Sequence, residues 1–465
     1  MSSTLSDYLW KRQCNKFNTS RSTHFNKFSR QVYGDPFFLN RMVLDTSLRP
    51  ISEAPVTSLC WSEQGDNLLS GSRDGKLYIW QPFDSSRPLS TSIATGGRAS
   101  IFSVNYISNR YAISGSEDGT VYLFDLTNGQ IFDRITCSTS NTMLAINANN
   151  TNDIITCSED GIIRQYDFRQ RHSCRTDNAP TCASVLLDYS NSSQQPVVRN
   201  DPVRVQDVSI SDSHHYLAVA GSQNYVYLHD RRMISRQSKD DPYHHQQRSL
   251  VKLLVNRNEY TPPRNEICYA NVCRFSKIHS DMIMVNWSDD GIYVFNIHDS
   301  AETESTHMDN GSSIPTIKHR YRYTGHLNPW VNSESIGFYG LDDEYIFSGT
   351  DDGMIFVWER TNEKVIQMFN IGHSPVSALQ GHPHLPIMAT AVSDHTVKLY
   401  TPRSEPLVTS PATHPFAETS YATSSQMFEV DSLIERNEQL KHGNLSNLIN
   451  HLMQNDDNPP PCYLQ

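Results

Sequence analysis

The chain has 465 residues, of which 37% are hydrophobic and 10% aromatic, and this composition predicts a folded protein with a large apolar core. Its 39 Lys and Arg and 50 Asp and Glu give a net charge of −11, which argues against nucleic acid as a direct partner. The sequence contains no long apolar run and no apolar leader segment. We therefore expect neither a membrane span nor a secretory signal, and a cytoplasmic or nuclear location, or both.

Residues 1–38 are predicted to form an arm outside the folded body, partly helical or disordered. Through residue 49 the chain carries eight Lys and Arg and three Asp, a net charge of +5, whereas residues 404–465 have a net charge of −6. The opposite signs are consistent with contact between the two ends, with separate partners, or with two solvated tails.

The next stretch, residues 39–48, has the alternating apolar pattern of a β-strand. A compact unit follows, with short strands predicted over residues 56–61 and 76–80. Gly and Asp between these strands indicate tight turns.

This unit recurs along the chain. Each copy begins with a turn of small residues and an Asp or its substitute. A strand-like run follows and ends about six positions after the Asp, usually in an aromatic residue. The closing residues are Trp80, Phe124, Tyr166, His229, Phe295, Trp358 and Tyr400. The shorter spacings between them are 42 to 44 residues, a period typical of the four-stranded blade of a WD-repeat β-propeller. The sequence therefore predicts an all-β fold, a seven-bladed propeller over residues 39–403.

A closed ring leaves few strand edges open, and residues 39–48 are expected to supply the outermost strand of the seventh blade. Three of the spacings are 63 to 66 residues instead. We interpret the extra length as surface loops near residues 171–202, 233–264 and 298–322, because these stretches are rich in polar residues and Pro.

The Asp that recurs at the turns is predicted to be structural, because its carboxylate can accept nearby backbone N–H groups and hold the hairpin. The recurring positions are Asp74, Asp118, Asp160, Asp289, Asp352 and Asp394. The sequence also lacks the common motifs for phosphate loops, dinucleotides, nucleophile elbows and zinc peptidases. We expect no enzyme activity and no cofactor; the rival hypothesis, an active site in the central channel, needs unique titratable groups there.

The nine cysteines are odd in number and lack CxxC pairs, so most are predicted to be buried apolar residues. Cys174 and Cys182 lie near His172 in sequence and could act as ligands or as a redox pair, but no further ligand accompanies them. The histidines at 244–245 and 382–384 also lack partners at the usual offsets. We therefore expect no metal site.

Two neighbouring blades depart from the repeat in the same way. After the closing position the third unit continues with Asp167 and Arg169, and the fourth with Asp230 and Arg232, whereas the other blades lack Arg at that place. Because the position follows the third strand of a blade, both arginines are expected on one rim of the ring, side by side. Arg suits forked hydrogen bonds and is enriched at interface hot spots. The alternative is two exposed arginines that pair only with their own Asp.

The C-terminal segment, residues 404–465, is predicted to be a linker followed by short helices. A capping box at residues 432–435 opens the first helix, which ends near Gly443. The second helix has an apolar stripe formed by Leu445, Leu448, Ile449 and Leu452. The stripe is expected to bury against this chain's own propeller or in the groove of a partner.

The double Asp-x-Arg on adjacent WD blades resembles the docking box of WD-repeat substrate receptors of cullin-4 RING ubiquitin ligases. Other segments are similar to one branch of that family, the cullin-4-associated factors of the nuclear-receptor-interaction type. These segments are residues 216–222, 229–233, 323–326, 337–340, 344–349 and 382–390. The similarity covers roughly residues 39–403 and, more faintly, residues 450–454. In the two docking blades Tyr166 and His229 replace the usual Trp.

The resemblance implies that Arg169 and Arg232 contact the ligase's damaged-DNA-binding-protein adaptor, and through it cullin-4, with Asp167 and Asp230 orienting them. It implies a non-catalytic receptor that recruits an unidentified protein substrate for ubiquitination. The alternative is a WD-repeat interaction scaffold, or a transcription or chromatin coregulator, without a ligase role.

Overall fold

The computed structural model describes residues 34–403, apart from a few single positions and several longer segments. The longer segments left out are 138–141, 147–151, 173–181, 191–202, 235–248, 256–268, 308–312 and 327–332. The predicted N-terminal arm up to residue 33 and the predicted C-terminal helices lie outside the described residues. Among the residues that are described, no helix has the length and apolar character needed to cross a bilayer.

The described chain begins with one short helix and one strand. Helix α1 (Pro36–Leu39) starts at Asp35, whose Oδ1 accepts the backbone N–H of Phe37 at 2.9 Å. The fixed φ of Pro36 suits the first helical position. Strand β1 (Met42–Leu48) follows.

The next twelve strands form three antiparallel, four-stranded sheets in which neighbours in sequence are neighbours in space. Blade 1 consists of β2 (Val56–Trp61), β3 (Leu68–Ser72), β4 (Lys76–Trp80) and β5 (Leu89–Ala94). Blade 2 consists of β6 (Ile101–Tyr106), β7 (Tyr111–Ser116), β8 (Thr120–Asp125) and β9 (Gln130–Thr136). Blade 3 consists of β10 (Thr142–Ile146), β11 (Asp153–Ser158), β12 (Ile162–Asp167) and β13 (Val185–Asp188).

Blades 4, 5 and 6 repeat the pattern. Blade 4 consists of β14 (Val205–Ile210), β15 (Tyr216–Gly221), β16 (Tyr225–Asp230) and β17 (Leu250–Val255), with a 3₁₀ turn at Arg231–Met233. Blade 5 consists of β18 (Ala270–Phe275), β19 (Met282–Trp287), β20 (Ile292–Asn296) and β23 (Tyr321–Tyr323), with a hairpin of β21 (Glu302–His307) and β22 (Ser313–Ile317) between its last two strands. A 3₁₀ turn at Ser333–Ser335 precedes blade 6, which consists of β24 (Ile336–Tyr339), β25 (Tyr345–Gly349), β26 (Met354–Glu359) and β27 (Val365–Asn370).

The seventh blade joins the two ends of the ring. It consists of β28 (Val376–Gly381), β29 (Met388–Val392), β30 (Thr396–Pro402) and, on the outside, β1. Strand β1 pairs antiparallel with β30, with Val43 opposite Thr401 and Leu48 opposite Val397. The prediction of seven blades is confirmed. The predicted closing strand is also present, but it begins at Met42 because Leu39 belongs to α1.

The apolar core is distributed around the ring. Seven hydrophobic clusters of described residues each join two adjacent blades. Between blades 7 and 1, for example, Trp61 and Trp80 pack with Ala391 and Leu399. Each blade therefore buries its two faces only against its neighbours, as expected for sheets too small to fold alone.

Each of the three predicted surface loops contains strand. β13 lies within residues 171–202 and β17 within residues 233–264, and each is the fourth strand of its blade. The insertion near residues 298–322 contains the β21–β22 hairpin, which extends blade 4 because β22 pairs in parallel with β17. Leu253 lies opposite Thr316 and Leu254 opposite Ile317 in that pairing. Since β17 would otherwise be the outer edge of blade 4, the hairpin covers a strand edge that, among the described strands, has no partner in the other blades.

The structural role of the recurring turn aspartates is confirmed at four positions. Oδ1 accepts the backbone N–H of the residue two positions later in Asp74, Asp118, Asp160 and Asp394, at 2.9 to 3.1 Å. Asp352 accepts from the Thr350 hydroxyl. Asp289 lies outside the described residues.

Candidate functional site

The two Asp-x-Arg motifs lie at equivalent positions of neighbouring blades. Asp167 is the last residue of β12 and Asp230 the last residue of β16, and each strand is the third of its blade. Asp167 lies opposite Asp153 at the start of β11, and Asp230 lies opposite Tyr216 at the start of β15. Both motifs therefore emerge on the same rim of the ring, as predicted.

In blade 3 the side chain of Arg169 forms a fork on Asp167. Its Nε donates to Oδ1 at 2.9 Å and its Nη2 to Oδ2 at 2.7 Å. The backbone N–H of Arg169 also donates to Oδ1, at 3.0 Å. The carboxylate thus fixes both the turn and the plane of the guanidinium, which is the geometry of a bidentate pair.

Blade 4 repeats this arrangement almost atom for atom. Arg232 Nε donates to Asp230 Oδ1 at 3.0 Å, Nη2 to Oδ2 at 2.6 Å, and the backbone N–H to Oδ1 at 2.9 Å. Corresponding distances in the two blades differ by only 0.1 Å. The two motifs therefore share one geometry although their closing residues differ, Tyr166 in blade 3 and His229 in blade 4.

Both arginines remain open to solvent while their carboxylates are largely covered. The side chains of Arg169 and Arg232 are 63% and 61% exposed, against 22% for Asp167 and 13% for Asp230. The hydrogen bonds from Arg232 hold the pKa of Asp230 below its ordinary value, so this carboxylate is charged at neutral pH. The site presents two oriented guanidinium groups whose remaining N–H donors can bind carboxylates or carbonyls.

A third arginine supports the site and was missed in the sequence. Arg231 lies between Asp230 and Arg232, but its side chain is only 13% exposed. Its backbone N–H donates to the His215 carbonyl at 2.7 Å, and its guanidinium lies 3.8 Å from the Asp153 carboxylate of blade 3. No sequence signal marked this pair, because its two residues are far apart in the chain.

Behind the motif of blade 4, His229 replaces the aromatic closing residue and is fully buried. Its Nε2 bonds the Tyr189 hydroxyl of blade 3, and its Nδ1 lies 2.9 Å from the Ser249 hydroxyl. Burial lowers the pKa of His229 to about 3, so the ring is neutral at physiological pH. His229 therefore acts as a polar core residue that links blades 3 and 4.

In two other blades an arginine near the end of the third strand is held differently. In blade 2, Asp125 accepts two bonds from Arg110, which comes from the preceding hairpin. In blade 6, Arg360 donates its Nε–H inward to the Asp343 carbonyl at 2.6 Å. Among the described residues, only blades 3 and 4 combine an exposed guanidinium with a carboxylate two residues earlier.

The central channel contains a separate cluster of charged residues. Arg274 of β18 binds Asp207 of β14 at 2.6 Å, and its guanidinium lies 3.9 Å from Glu334 in the 3₁₀ turn before blade 6. Glu334 also accepts from Ser103 of blade 2 at 3.2 Å. Burial raises the pKa of both carboxyl groups against the opposing effect of Arg274. The rival hypothesis of a channel site thus has titratable groups, but they are bonded to one another across the ring, which is also the arrangement of a structural network.

A scan of family models matches the WD domain, G-beta repeat, at residues 46–81, 90–125, 317–359 and 363–401. These segments cover blades 1, 2, 6 and 7 and include neither Asp-x-Arg motif. The described strands supply the remaining blades.

Two curated proteins illustrate the relatives found. WD repeat protein iqw1 of Schizosaccharomyces pombe is 30% identical over 297 residues, which are 59% of this chain and 34% of that protein. DDB1- and CUL4-associated factor 6 of Homo sapiens is 27% identical over 278 residues, which are 57% of this chain and 29% of that protein. The chain spans about a third of the length of the curated relatives it matches.

Among solved structures, the β-propeller domain of Cps50 (Swd1) from Myceliophteria thermophila superposes with a TM-score of 0.56 at 14% identity. The match covers 77% of this chain and 99% of that one, and at this identity it speaks for the fold alone. The chain thus has the fold of a seven-bladed β-propeller with WD repeats, and it is similar in sequence to DDB1- and CUL4-associated factor 6.

Proposed function

We propose that this chain is a non-catalytic substrate receptor of a cullin-4 RING ubiquitin ligase. It docks on the damaged-DNA-binding-protein adaptor, and through it on cullin-4, by Arg169 and Arg232. Another surface of the ring holds a protein substrate, and the ubiquitin-transfer chemistry resides in the partners. The receptor acts by proximity, because tethering a substrate beside the ligase raises its effective concentration.

The observation that carries the proposal is the pair of matching Asp-Arg forks on adjacent blades. An exposed ion pair contributes little to the stability of the free chain, so two copies in the same geometry point to a role in binding. Each guanidinium is held by its own carboxylate before docking, which reduces the entropy lost on binding. The name of the human relative, a DDB1- and CUL4-associated factor, supports the same partner.

The alternative is an interaction scaffold or a transcription or chromatin coregulator that uses the same ring without a ligase. The buried, neutral residues behind the motifs, such as His229, are equally suited to an interaction scaffold. The two functions differ in what the exposed arginines bind, so the adaptor is the discriminating probe.

The test is a binding titration of the purified full chain with the purified adaptor. We expect Arg169→Ala and Arg232→Ala each to weaken binding on the order of tenfold or more, and the double variant to abolish it, as for central hot-spot residues. Lys76→Ala is the control, because Lys76 pairs with Asp74 in the turn between β3 and β4, on the opposite rim. Unchanged affinity of the double variant, or no binding by the parent chain, would refute the docking proposal and favour the scaffold.

A further inference from the structure

Two thiols and an imidazole converge where blade 2 meets blade 3. Cys137 directly follows β9, the outer strand of blade 2. His172 and Cys182 belong to the connection between β12 and β13 in blade 3. The three ligand atoms lie within 4.8 Å of one another, the only such group of three or more Cys, His, Asp or Glu within the part of the chain that is described.

The sulfur–sulfur separation in this cluster is close to an edge of a metal coordination tetrahedron, and the two sulfur–nitrogen separations are about 0.3 and 0.7 Å shorter than such an edge. His172 Nε2 lies 2.9 Å from Cys137 Sγ and 3.3 Å from Cys182 Sγ, and the two sulfur atoms are 4.0 Å apart. Tetrahedral Zn²⁺ places two thiolate sulfurs about 3.8 Å apart, and a sulfur and an imidazole nitrogen about 3.6 Å apart. The sulfur–sulfur distance is about twice the length of a disulfide bond, so these two residues are not cross-linked to each other.

The surroundings suit a structural metal. Cys137 is buried in the cluster that joins blades 2 and 3, beside Ile135 and Tyr166, and Cys182 packs against the same cluster. The ring of Tyr166 contacts the His172 ring edge-on, with centroids 5.1 Å apart. The Ser184 hydroxyl lies 2.8 Å from Cys182 Sγ, where it can donate to a thiolate. Packing and a hydroxyl donor of this kind orient the ligands of metal sites.

We propose that Cys137, His172 and Cys182 bind one Zn²⁺ ion and leave its fourth position open to another ligand. Two thiolates and an imidazole form a soft ligand set that favours Zn²⁺ over the hard cations Mg²⁺ and Ca²⁺. Binding releases the two thiol protons, and the two thiolate charges balance the charge of the ion.

This proposal differs from the expectation from the sequence that the chain has no metal site. The sequence drew attention to Cys174 and Cys182, whereas the structure brings Cys137 to Cys182. Cys174 lies outside the described residues. Cys137 was missed because it precedes His172 by 35 residues, far from any usual spacing of zinc ligands.

The proposed metal site lies close in sequence to the Asp-x-Arg turn of blade 3. His172 follows Arg169 by three residues, so the ion would attach the connection after the docking turn of blade 3 to the outer strand of blade 2. The inference is independent of the proposed docking function, because metal binding is measured on the chain alone.

The first experiment measures metal content and the cobalt spectrum. The full chain is purified under reducing conditions, loaded with Zn²⁺ or Co²⁺, and freed of excess metal. We expect about one equivalent of bound metal, and for Co²⁺ the intense visible bands and the thiolate charge-transfer band of a tetrahedral sulfur site. A parent chain that holds no metal, or a Co²⁺ spectrum without thiolate bands, overturns the proposal even without any variant.

The second experiment assigns the ligands. Cys137→Ser, Cys182→Ser and His172→Asn are each expected to lower metal retention on the order of tenfold or more. Cys60→Ser is the control, because Cys60 is a partly buried thiol of β2 that contacts Asn105 rather than this cluster. Retention of a full equivalent by all three variants refutes the site. Arg169→Ala with Arg232→Ala is expected to keep its metal, so loss of adaptor binding and loss of the metal are separable.

Discussion

The guanidinium of Arg231 lies 3.8 Å from the carboxylate of Asp153, and this pair connects the docking turn of blade 4 with blade 3. Asp153 is also the cross-strand partner of Asp167, which holds Arg169. The two motifs are therefore not independent, because a chain of contacts from Asp230 through Arg231 and Asp153 fixes one relative to the other.

Arg231→Ala is expected to weaken adaptor binding by a few-fold, less than Arg232→Ala, because Arg231 positions the turn without facing the partner. The pair is largely covered, so the variant should also lose about 1 kcal/mol of unfolding free energy. Adaptor titration together with urea unfolding measures both effects. Asp153→Asn should reproduce them, and the double variant should add little, whereas additive losses would contradict a direct coupling.

Replacing both docking arginines by lysine tests whether geometry or charge matters. Arg169→Lys with Arg232→Lys keeps the net charge but removes the planar fork that both arginines form on their carboxylates. We expect binding almost as weak as in the double alanine variant, measured by the same adaptor titration. If lysine restores the parental affinity, the site acts only through its positive charge.

The propeller ring could be predicted because the same turn and closing position recur in every blade. The closing positions from Trp80 to Tyr400 mark every blade, and the turn aspartates mark the hairpins. The closing strand β1 followed from the alternation of residues 39–48 and from the cost of an open sheet edge. The two exposed arginines could be named because they break an otherwise regular pattern at the same place twice.

The features that the sequence did not predict depend on contacts between distant residues. The β21–β22 hairpin has the polar composition of a loop, and its pairing with β17, far away in the chain, attaches it to blade 4. The same holds for Arg231 with Asp153 and for Cys137 with His172. Apart from His172, which the sequence singled out beside Cys182, these residues carry no signal in the sequence, and the ring brings them together.

Leu48 in the closing strand β1 is expected to contribute to the stability of the junction between blades 7 and 1. Leu48 is 2% exposed and packs among Leu59, Ala391 and Leu399, so Leu48→Ala leaves a cavity in the cluster that joins blades 7 and 1. We expect a loss of about 2 to 4 kcal/mol in the free energy of unfolding, measured by urea denaturation. Ser47→Ala in the same strand is the control, because Ser47 is exposed and should change stability by less than about 0.5 kcal/mol. Equal effects of the two variants would mean that β1 does not pack as a closing strand.

The buried His229 predicts how stability depends on pH. Its pKa is about 3 in the folded chain because burial disfavours the charged ring, whereas the unfolded chain has the ordinary value of 6.5. As the pH falls below 6.5 the unfolded state takes up a proton that the folded state does not, so the free energy of unfolding decreases until the pH approaches 3. Each pH unit in that range costs about 1.4 kcal/mol for this one group.

His229→Gln removes the titrating ring and leaves the other ionisable groups unchanged. Between pH 6.5 and 5.0, the parent chain should therefore lose about 2 kcal/mol more unfolding free energy than the variant. Urea unfolding of both chains at several pH values in this window measures the difference in slope. Parallel curves would mean that His229 titrates in the folded chain as it does in water, and that its place between Tyr189 and Ser249 does not exclude the charged ring.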